Sequence, residues 1–306
     1  MKMNKDHRFS EEISECSENV SLIRDCLFRK TALIDKDHER TRTCITYLTG
    51  SPYMKSLLSG GFAGVICTPD LLEEVEKSFD GGILVSEHPR TAFFEIHNAV
   101  CSKADLPDSF IDETAVVAED AKIASKGVSI GAGSIIKSGA VIEENVKIGA
   151  DCTIMENCII GAPAFYYYGE GDDSRRVKAG CGVVIGDRVC LHAGAVIQAG
   201  VFRPTFLDNN VKISNGVHVS HDVRIGKNCL LPAGVTMAGL SVLEDNCSLG
   251  VGVTVAPGVT VGHDAKLSAG AVVTKAVPPG ERYSGNFAIE HAAYVAHIKN
   301  ISGTNK

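Results

Sequence analysis

Several features are missing from this chain of 306 residues, and each absence closes off a class of function. No apolar run approaches the roughly 18 residues needed to span a bilayer, so a membrane-embedded protein is not expected. Basic residues are not in excess: Lys and Arg number 30 against 37 Asp and Glu, a net charge of −7. That balance argues against a sequence-independent nucleic-acid binder, which carries a basic face or tail. The 11 cysteines form no CxxC pair and follow no secreted-domain spacing. The opening MKMNKDHRFSEEISECSENV lacks the apolar stretch of a signal peptide. The expectation is a soluble, cytoplasmic protein with free thiols, whose partner is a small molecule or an acidic carrier.

What is present is a repeat. From Ile111 a large aliphatic residue returns every six positions through Val117 and Ile123, then, after one extra residue, through Ile130, Ile136, Ile142, Ile148, Ile154 and Ile160. The register resumes at Ile185, Leu191 and Ile197, and runs unbroken from Leu207 to Val273. About 24 hexads make roughly eight triangular coils, each side a short strand and each corner a turn. The leaders point inward, and the fifth hexad position must be small, as at Ala115, Ala121, Ala140, Cys152, Cys158, Cys229, Cys247 and Val259. Core packing is therefore the better account of these thiols than metal binding or catalysis. Glycines in IGAGS, IGADC, IGDRV, IGKNC and VGHDA are expected to supply the unusual backbone angles of the corners.

The chain divides into a flexible stretch over 1–19, a small α/β domain over 20–105, the prism over 106–280, and a C-terminal helix and tail over 281–306. TALID, CITYLT, AGVICT and GGILVS read as short buried strands of the small domain. SPYMKSLL, DLLEEVEKS and PRTAFFEIHNAV have helical spacing. The fold class is mainly β: a left-handed parallel β-helix of hexapeptide repeats with an N-terminal α/β domain and a short terminal helix.

This order of parts resembles the UDP-3-O-acylglucosamine N-acyltransferase family of lipid A synthesis, over almost the whole chain. The resemblance implies a homotrimer with active sites between adjacent prisms. It also implies an uptake of uridine by the first domain, through an aromatic and a Tyr six residues later. ITYLTGSPY supplies Tyr47 and Tyr53 at that spacing, with Gly50 where the family has Asn. Tyr47 would stack on a pyrimidine and Tyr53 line the nucleotide, uridine and thymidine both remaining open. The alternative is that both rings fill a strand-to-helix corner. HPRTAFFEIHNAV resembles the family's structural Asn-Pro segment, which gives His88 and His97 no catalytic role.

An N-acyl transfer needs a base for the attacking amine and a donor for the thioester oxyanion. Val219-Ser220-His221-Asp222 matches the family's Ile-Ala-His-Asp catalytic motif. His221 is then the base on an outer face, and Asp222 orients or polarises its ring. Gly239, one coil further on, matches the glycine whose backbone N–H forms the oxyanion hole, and a corner glycine is the alternative. His218 matches a histidine that contacts substrate in O-acyltransferase relatives, with surface packing the alternative.

Two breaks interrupt the repeat, and an insertion in a self-stacking prism must project outward, near the active cleft. The longer, AFYYYGEGDDSRRVKAG, offers Tyr166, Tyr167 and Tyr168 to a sugar or acyl face, and Arg175, Arg176 and Lys178 to a pyrophosphate. A loop docked on a neighbouring prism fits the same composition. The shorter, VFRPT, offers Phe202 and Arg203 as acceptor contacts.

Two departures from the family pattern bear on the substrate. Ala256-Pro257-Gly258 stands where lipid A enzymes have a Gly-His pair, and only about 25 residues follow the prism, so docking of acyl carrier protein is less secured. Acyl-CoA donating to a UDP- or dTDP-linked amino sugar of a surface glycan is accordingly set first. Acyl carrier protein donating to UDP-3-O-(3-hydroxyacyl)glucosamine is set second. No tightly bound cofactor and no metal are expected. Two rivals come from other classes. A γ-type carbonic anhydrase would use zinc on three histidines, but His192, His218 and His221 lack its spacing. A non-catalytic trimeric scaffold would need no histidine motif.

Overall fold

The computed structural model describes residues 6–16, 19–34, 42–285 and 291–301. Each hexad leader lies in parallel register beside the leader three hexads on, so the leaders form three columns. The first face stacks Ile111, Ile130, Ile148, Ile185, Leu207, Ile225, Leu243 and Val261. A second face carries the column through Val117, Ile136, Ile154, Leu191 and Ile213, and a third the column through Ile142, Ile160, Ile197, Val219, Met237 and Val255. The faces are parallel sheets of 8, 9 and 8 strands, the left-handed β-helix anticipated from the hexads.

The inward column is dry: Ile130, Ile154, Ile160, Leu191, Ile213, Val219 and Met237 are all 0% exposed. Each such side chain contributes about 1.5–3 kcal/mol on burial, repeated coil after coil. Cys152, Cys158, Cys229 and Cys247 occupy the small interior position, and their thiols reach corner carbonyls of Gly186, His192, Glu244 and Gly262 at 3.1–3.2 Å. Burial pushes the Cys152 and Cys158 thiols up, which keeps them protonated and inert.

The corners correct one expectation in part: Gly133 of IGAGS does take the left-handed conformation, with φ 67°. The glycine directly after the leader does not take the left-handed conformation; Asp151, Arg188, Asn228 and Asp264, two residues further on, take it instead, with φ of 55–61°. The glycine has a different reason. A Cβ on Gly149 would lie 2.7 Å from the backbone of Gly186 in the next coil, so stacking itself excludes a side chain.

The N-terminal unit is a five-stranded sheet in the order 21–24, 82–85, 64–67, 44–48, 30–31, with the first strand antiparallel to its neighbour and the others parallel. The three inner strands, 44–48, 64–67 and 82–85, are nearly continuous apolar runs because both faces are covered; Ile45, Val65, Ile66, Ile83 and Leu84 are 0% exposed. The helices are α1 (Phe9–Glu12), α2 (Met54–Gly60), α3 (Leu72–Ser78), α4 (Pro89–Ser102) and α5 (His291–Ile301). No helix among the described residues is long and apolar enough to cross a membrane.

Of the segment read as flexible, residues 7–13 pack against the N-terminal unit. His7–Arg8 pairs with Leu27–Phe28, and Phe9 is 0% exposed in the core. Glu12, buried, bonds His7 Nδ1 at 2.9 Å and Lys103 Nζ at 2.8 Å, which ties this segment to the end of α4. The segment FSEEISE hid one buried aromatic, Phe9, and one buried carboxylate, Glu12, with partners distant in sequence.

Both breaks in the prism are sockets for the N-terminal unit. Ala164, Tyr168 and Val177 of the longer break, and Val201 and Phe202 of the shorter, belong to one buried cluster with Phe93, Phe94, Ile96 and Val100 of α4. The longer break folds into a hairpin, Tyr167–Tyr168 against Arg175–Arg176, lying along α4. Tyr168 stacks on Phe94 at 5.4 Å, Arg175 Nη1 bonds Glu95 at 3.0 Å, and Asn98 exchanges bonds with Arg176 O and Lys178 N.

His97 is the bolt between the parts. Buried at 2% exposure, it bonds Thr31 Oγ1 through Nδ1 and Lys178 O through Nε2. Burial holds its pKa below the ordinary 6.5. A histidine kept neutral in the fold binds fewer protons folded than unfolded, so its contribution is full above about pH 6.5, and it declines as pH falls from there towards the depressed folded value. His97→Gln is expected to flatten that part of the acid slope in denaturation midpoints measured from about pH 5 to 8. An unchanged slope would show that His97 does not carry it.

Candidate active site

Val219 closes a strand of the third face, and the chain then turns the corner through Ser220, His221 and Asp222 to Arg224–Ile225. Asp222 has a φ of +60°, which folds its side chain back beside the preceding residue. Adjacent side chains that would diverge on a straight strand are thereby brought together. His221 Nδ1 lies 2.7 Å from Asp222 Oδ2.

The carboxylate is 0% exposed and sits in a nest of backbone N–H groups. Phe202 N and Arg203 N donate to Oδ1 at 2.8 Å each, and Val201 N donates to Oδ2 at 3.2 Å. Three amide donors meet the carboxylate, and Nδ1, which faces it, carries the imidazole proton. Nε2 is then the lone-pair nitrogen, free to accept a proton.

Nε2 is aimed at Gly239. A Cβ there would fall 2.6 Å from Nε2, so a side chain at this position would displace the ring. Gly239 is not a left-handed glycine; that conformation belongs to Leu240, at φ 65°. Its N–H finds no acceptor among the described residues, which leaves a backbone donor beside the histidine. A lone-pair nitrogen and an N–H donor side by side can take a proton from a nucleophile and receive an oxyanion.

The residues of the two breaks divide by role. Arg203, expected to meet an acceptor, is drawn inward at 7% exposure, with Nε on Asp222 O at 2.9 Å and Nη2 on Leu240 O at 3.3 Å. Its planar donors brace the two stacked corners that carry His221 and Gly239. Arg175, expected to meet a pyrophosphate, is turned onto buried Glu95, a carboxylate that needs a counter-charge. Arg176 is exposed, and Tyr167 packs edge-on to exposed Phe165 at 5.2 Å. Tyr166 does reach the site, its ring 5.2 Å from that of His221 at an interplanar angle of 86°.

His218 lies one strand before the corner, in register between Val196 and Thr236, and desolvation lowers its pKa. Tyr47 packs on Phe93 at 5.0 Å and on Phe94 at 6.3 Å, while Tyr53, at 43% exposure, is its neighbour. Both Tyr47 and Tyr166 contact Phe94, so the aromatic patch of the first unit is continuous with the ring covering His221. Burial pushes the phenols of Tyr47 and Tyr166 upward, so both remain neutral donors. The sequence reading missed Phe94 and Arg90, whose guanidinium lies 5.6 Å over the Phe94 ring. It took their segment as structural. Among the described residues no group of three or more His, Cys, Asp or Glu side chains could hold a metal ion.

Asp222→Ala removes the shared acceptor of three backbone donors, each costing about 1–3 kcal/mol when left buried and unmet. A loss of at least about 3 kcal/mol in denaturant unfolding is expected. A loss under about 1 kcal/mol would show that the corner does not depend on the carboxylate.

Two family models match the prism: the hexapeptide repeat of succinyl-transferase over residues 177–202 and 241–275, and the bacterial transferase hexapeptide over 204–239. A UDP-3-O-acylglucosamine N-acyltransferase of Maricaulis maris is 30% identical over 299 residues, covering 84% of this chain and 83% of the relative. A protein of the same name from Pseudomonas syringae is 27% identical over 62% of this chain and 61% of its own length, so the chain spans about three fifths of that relative. One from Caulobacter vibrioides reaches 57% identity over 103 residues, 34% of this chain and 30% of the relative. A hexad prism with a His-Asp corner and a glycine opposite the imidazole, matched over most of both chains by the Maricaulis relative, places this chain in the UDP-3-O-acylglucosamine N-acyltransferase family.

Proposed function

We propose that the protein transfers an acyl group from the thioester of acyl carrier protein to the amine of a UDP-3-O-acylated glucosamine, with His221 as general base. The observation that carries this is the fixed His221 ring, with Nδ1 on buried Asp222 and Nε2 facing the backbone of Gly239. The acceptor amine attacks the thioester carbon while Nε2 takes its proton. The developing oxyanion is received by the Gly239 N–H. Collapse of the tetrahedral species breaks the C–S bond, and the imidazolium returns the proton to the leaving thiolate of the pantetheine arm. Asp222 stays ionised throughout, holding the tautomer and offsetting the imidazolium charge.

The names of the relatives reverse the order set from sequence. That order put acyl-CoA and a glycan amino sugar first; the relatives are named for UDP-3-O-acylglucosamine and, in a Saccharophagus degradans protein 33% identical over 132 residues, for acyl carrier protein with UDP-N-acetylglucosamine. Tyr47 and Tyr53 are assigned to the uracil and ribose. Within this proposal the working unit is a homotrimer, with the thioester arm lying in the cleft beside the neighbouring prism. The acyl-CoA reading keeps one support, Ala256-Pro257-Gly258 in place of a Gly-His pair.

His221→Ala, assayed with acyl carrier protein thioesters, acyl-CoA and UDP-linked amino sugars, is expected to lower kcat by at least about 100-fold. Gly239→Ala is expected to lower kcat as well, with the thermal midpoint little changed, because its methyl group displaces the imidazole. Undiminished turnover in His221→Ala would remove that residue from the mechanism. Faster turnover with acyl-CoA and a UDP- or dTDP-amino sugar lacking the 3-O-acyl chain would favour the second acceptor class.

A further inference from the structure

A nucleotide sugar has a fixed order of parts: base, ribose, diphosphate, sugar. If the base meets Tyr47 and the amine meets His221, the diphosphate must lie between them. The rings between them are Phe94, which touches Tyr47 at 6.3 Å and Tyr166 at 5.7 Å, and Tyr166, which touches His221 at 5.2 Å. One guanidinium stands over the middle of that line. Arg90, in the first turn of α4, lies 5.6 Å above the Phe94 ring, and its charge acts on the nearby phenol of Tyr47.

We propose that Arg90 binds the diphosphate of the nucleotide acceptor, and that the acceptor lies along one protomer's own surface from Tyr47, past Arg90 and over Tyr166, to His221. This rests on the nucleotide-sugar reading above. Three of the basic residues carried by the two breaks have other occupations. Arg175 is on Glu95, the Nζ of Lys178 is on Ser102 Oγ, and Arg203 is buried against the carbonyls of Asp222 and Leu240. Arg90 is exposed and keeps its charge towards solvent. Its forked donors suit two phosphate oxygens at once, which a lysine cannot match. The stack on Phe94 holds the fork in place before ligand arrives, so less side-chain freedom is lost on binding.

The arrangement also ties the two ends of the acceptor together. The Phe94 ring under Arg90 also carries Tyr47, the ring assigned to the base, and Tyr166, the ring that walls the imidazole. A nucleotide missing its diphosphate therefore loses the anchor midway along the groove, while the stack on Tyr47 remains.

The test is calorimetric binding of uridine, UMP and UDP to the intact protein and to Arg90→Ala, Arg90→Lys, Tyr47→Phe and Arg176→Ala. Wild-type protein is expected to bind UDP more tightly than uridine. Arg90→Ala is expected to weaken UDP by roughly 10–100-fold, the worth of a charged hydrogen-bonded pair, and to leave uridine unchanged. Arg90→Lys is expected to recover part of the UDP affinity, Tyr47→Phe to lose a smaller part, and Arg176→Ala to lose none. Equal weakening of uridine and UDP by Arg90→Ala would overturn the proposal, since Arg90 would then only be holding Tyr47. Unchanged UDP affinity would overturn it also. Failure of the wild-type protein to bind any of the three would instead overturn the nucleotide reading itself, a result the variants cannot mimic.

Discussion

One buried carboxylate organises the centre of this molecule. Asp222 accepts three backbone N–H groups from the Val201–Arg203 break and holds the Nδ1 of His221, while its own carbonyl receives Arg203. A charge with 0% exposure is costly to bury unless each lone pair is met. The break in the hexad register supplies what a regular coil cannot: three successive amides turned towards one point. Loss of the repeat at this place is thus the condition for a fixed imidazole one coil away.

The same break carries Phe202, whose ring lies 6.2 Å from Phe93 and 5.5 Å from His97, and so it connects the catalytic corner to the N-terminal unit. The longer break does the equivalent work further along α4, through Tyr168, Arg175 and Lys178. Both insertions project outward, as a stacked prism requires, and both are covered by one helix. The prism sets the position of the corner along its axis to within one coil, and the docked unit brings the aromatic patch alongside it. Geometry at His221 and placement of the aromatic patch therefore share one packed layer.

Much of this was legible in the residues. The hexad period specified three stacked faces because inward leaders recur at a spacing that only a triangular coil satisfies, and each leader meets its partner in register. His221 was visible through its motif and its position in the register. What was not visible depends on contacts distant in sequence. The glycine after each leader looks like a conformational requirement, yet only the neighbouring coil shows that it answers to space. Arg203 looked like an acceptor contact and Arg175 like a phosphate ligand because composition cannot reveal the carbonyls of Asp222 and Leu240, or the buried carboxylate of Glu95, waiting across the chain. Arg90 was passed over since PRTAFF reads as an ordinary helix start; its place over Phe94, whose ring also meets Tyr47 of the sheet, shows only in the packed structure. Phe9, in a run of acidic residues, was lost for the same reason.

The central claim is that a fixed imidazole nitrogen faces the amine of a nucleotide sugar laid along the Tyr47 to Tyr166 surface. A crystal structure of the protein with UDP-3-O-acylglucosamine tests it most directly. The account predicts the acceptor amine within about 2.6–3.2 Å of His221 Nε2, or one water away, with the uracil on Tyr47. An amine directed away from His221, or a uracil bound elsewhere than on Tyr47, would contradict it.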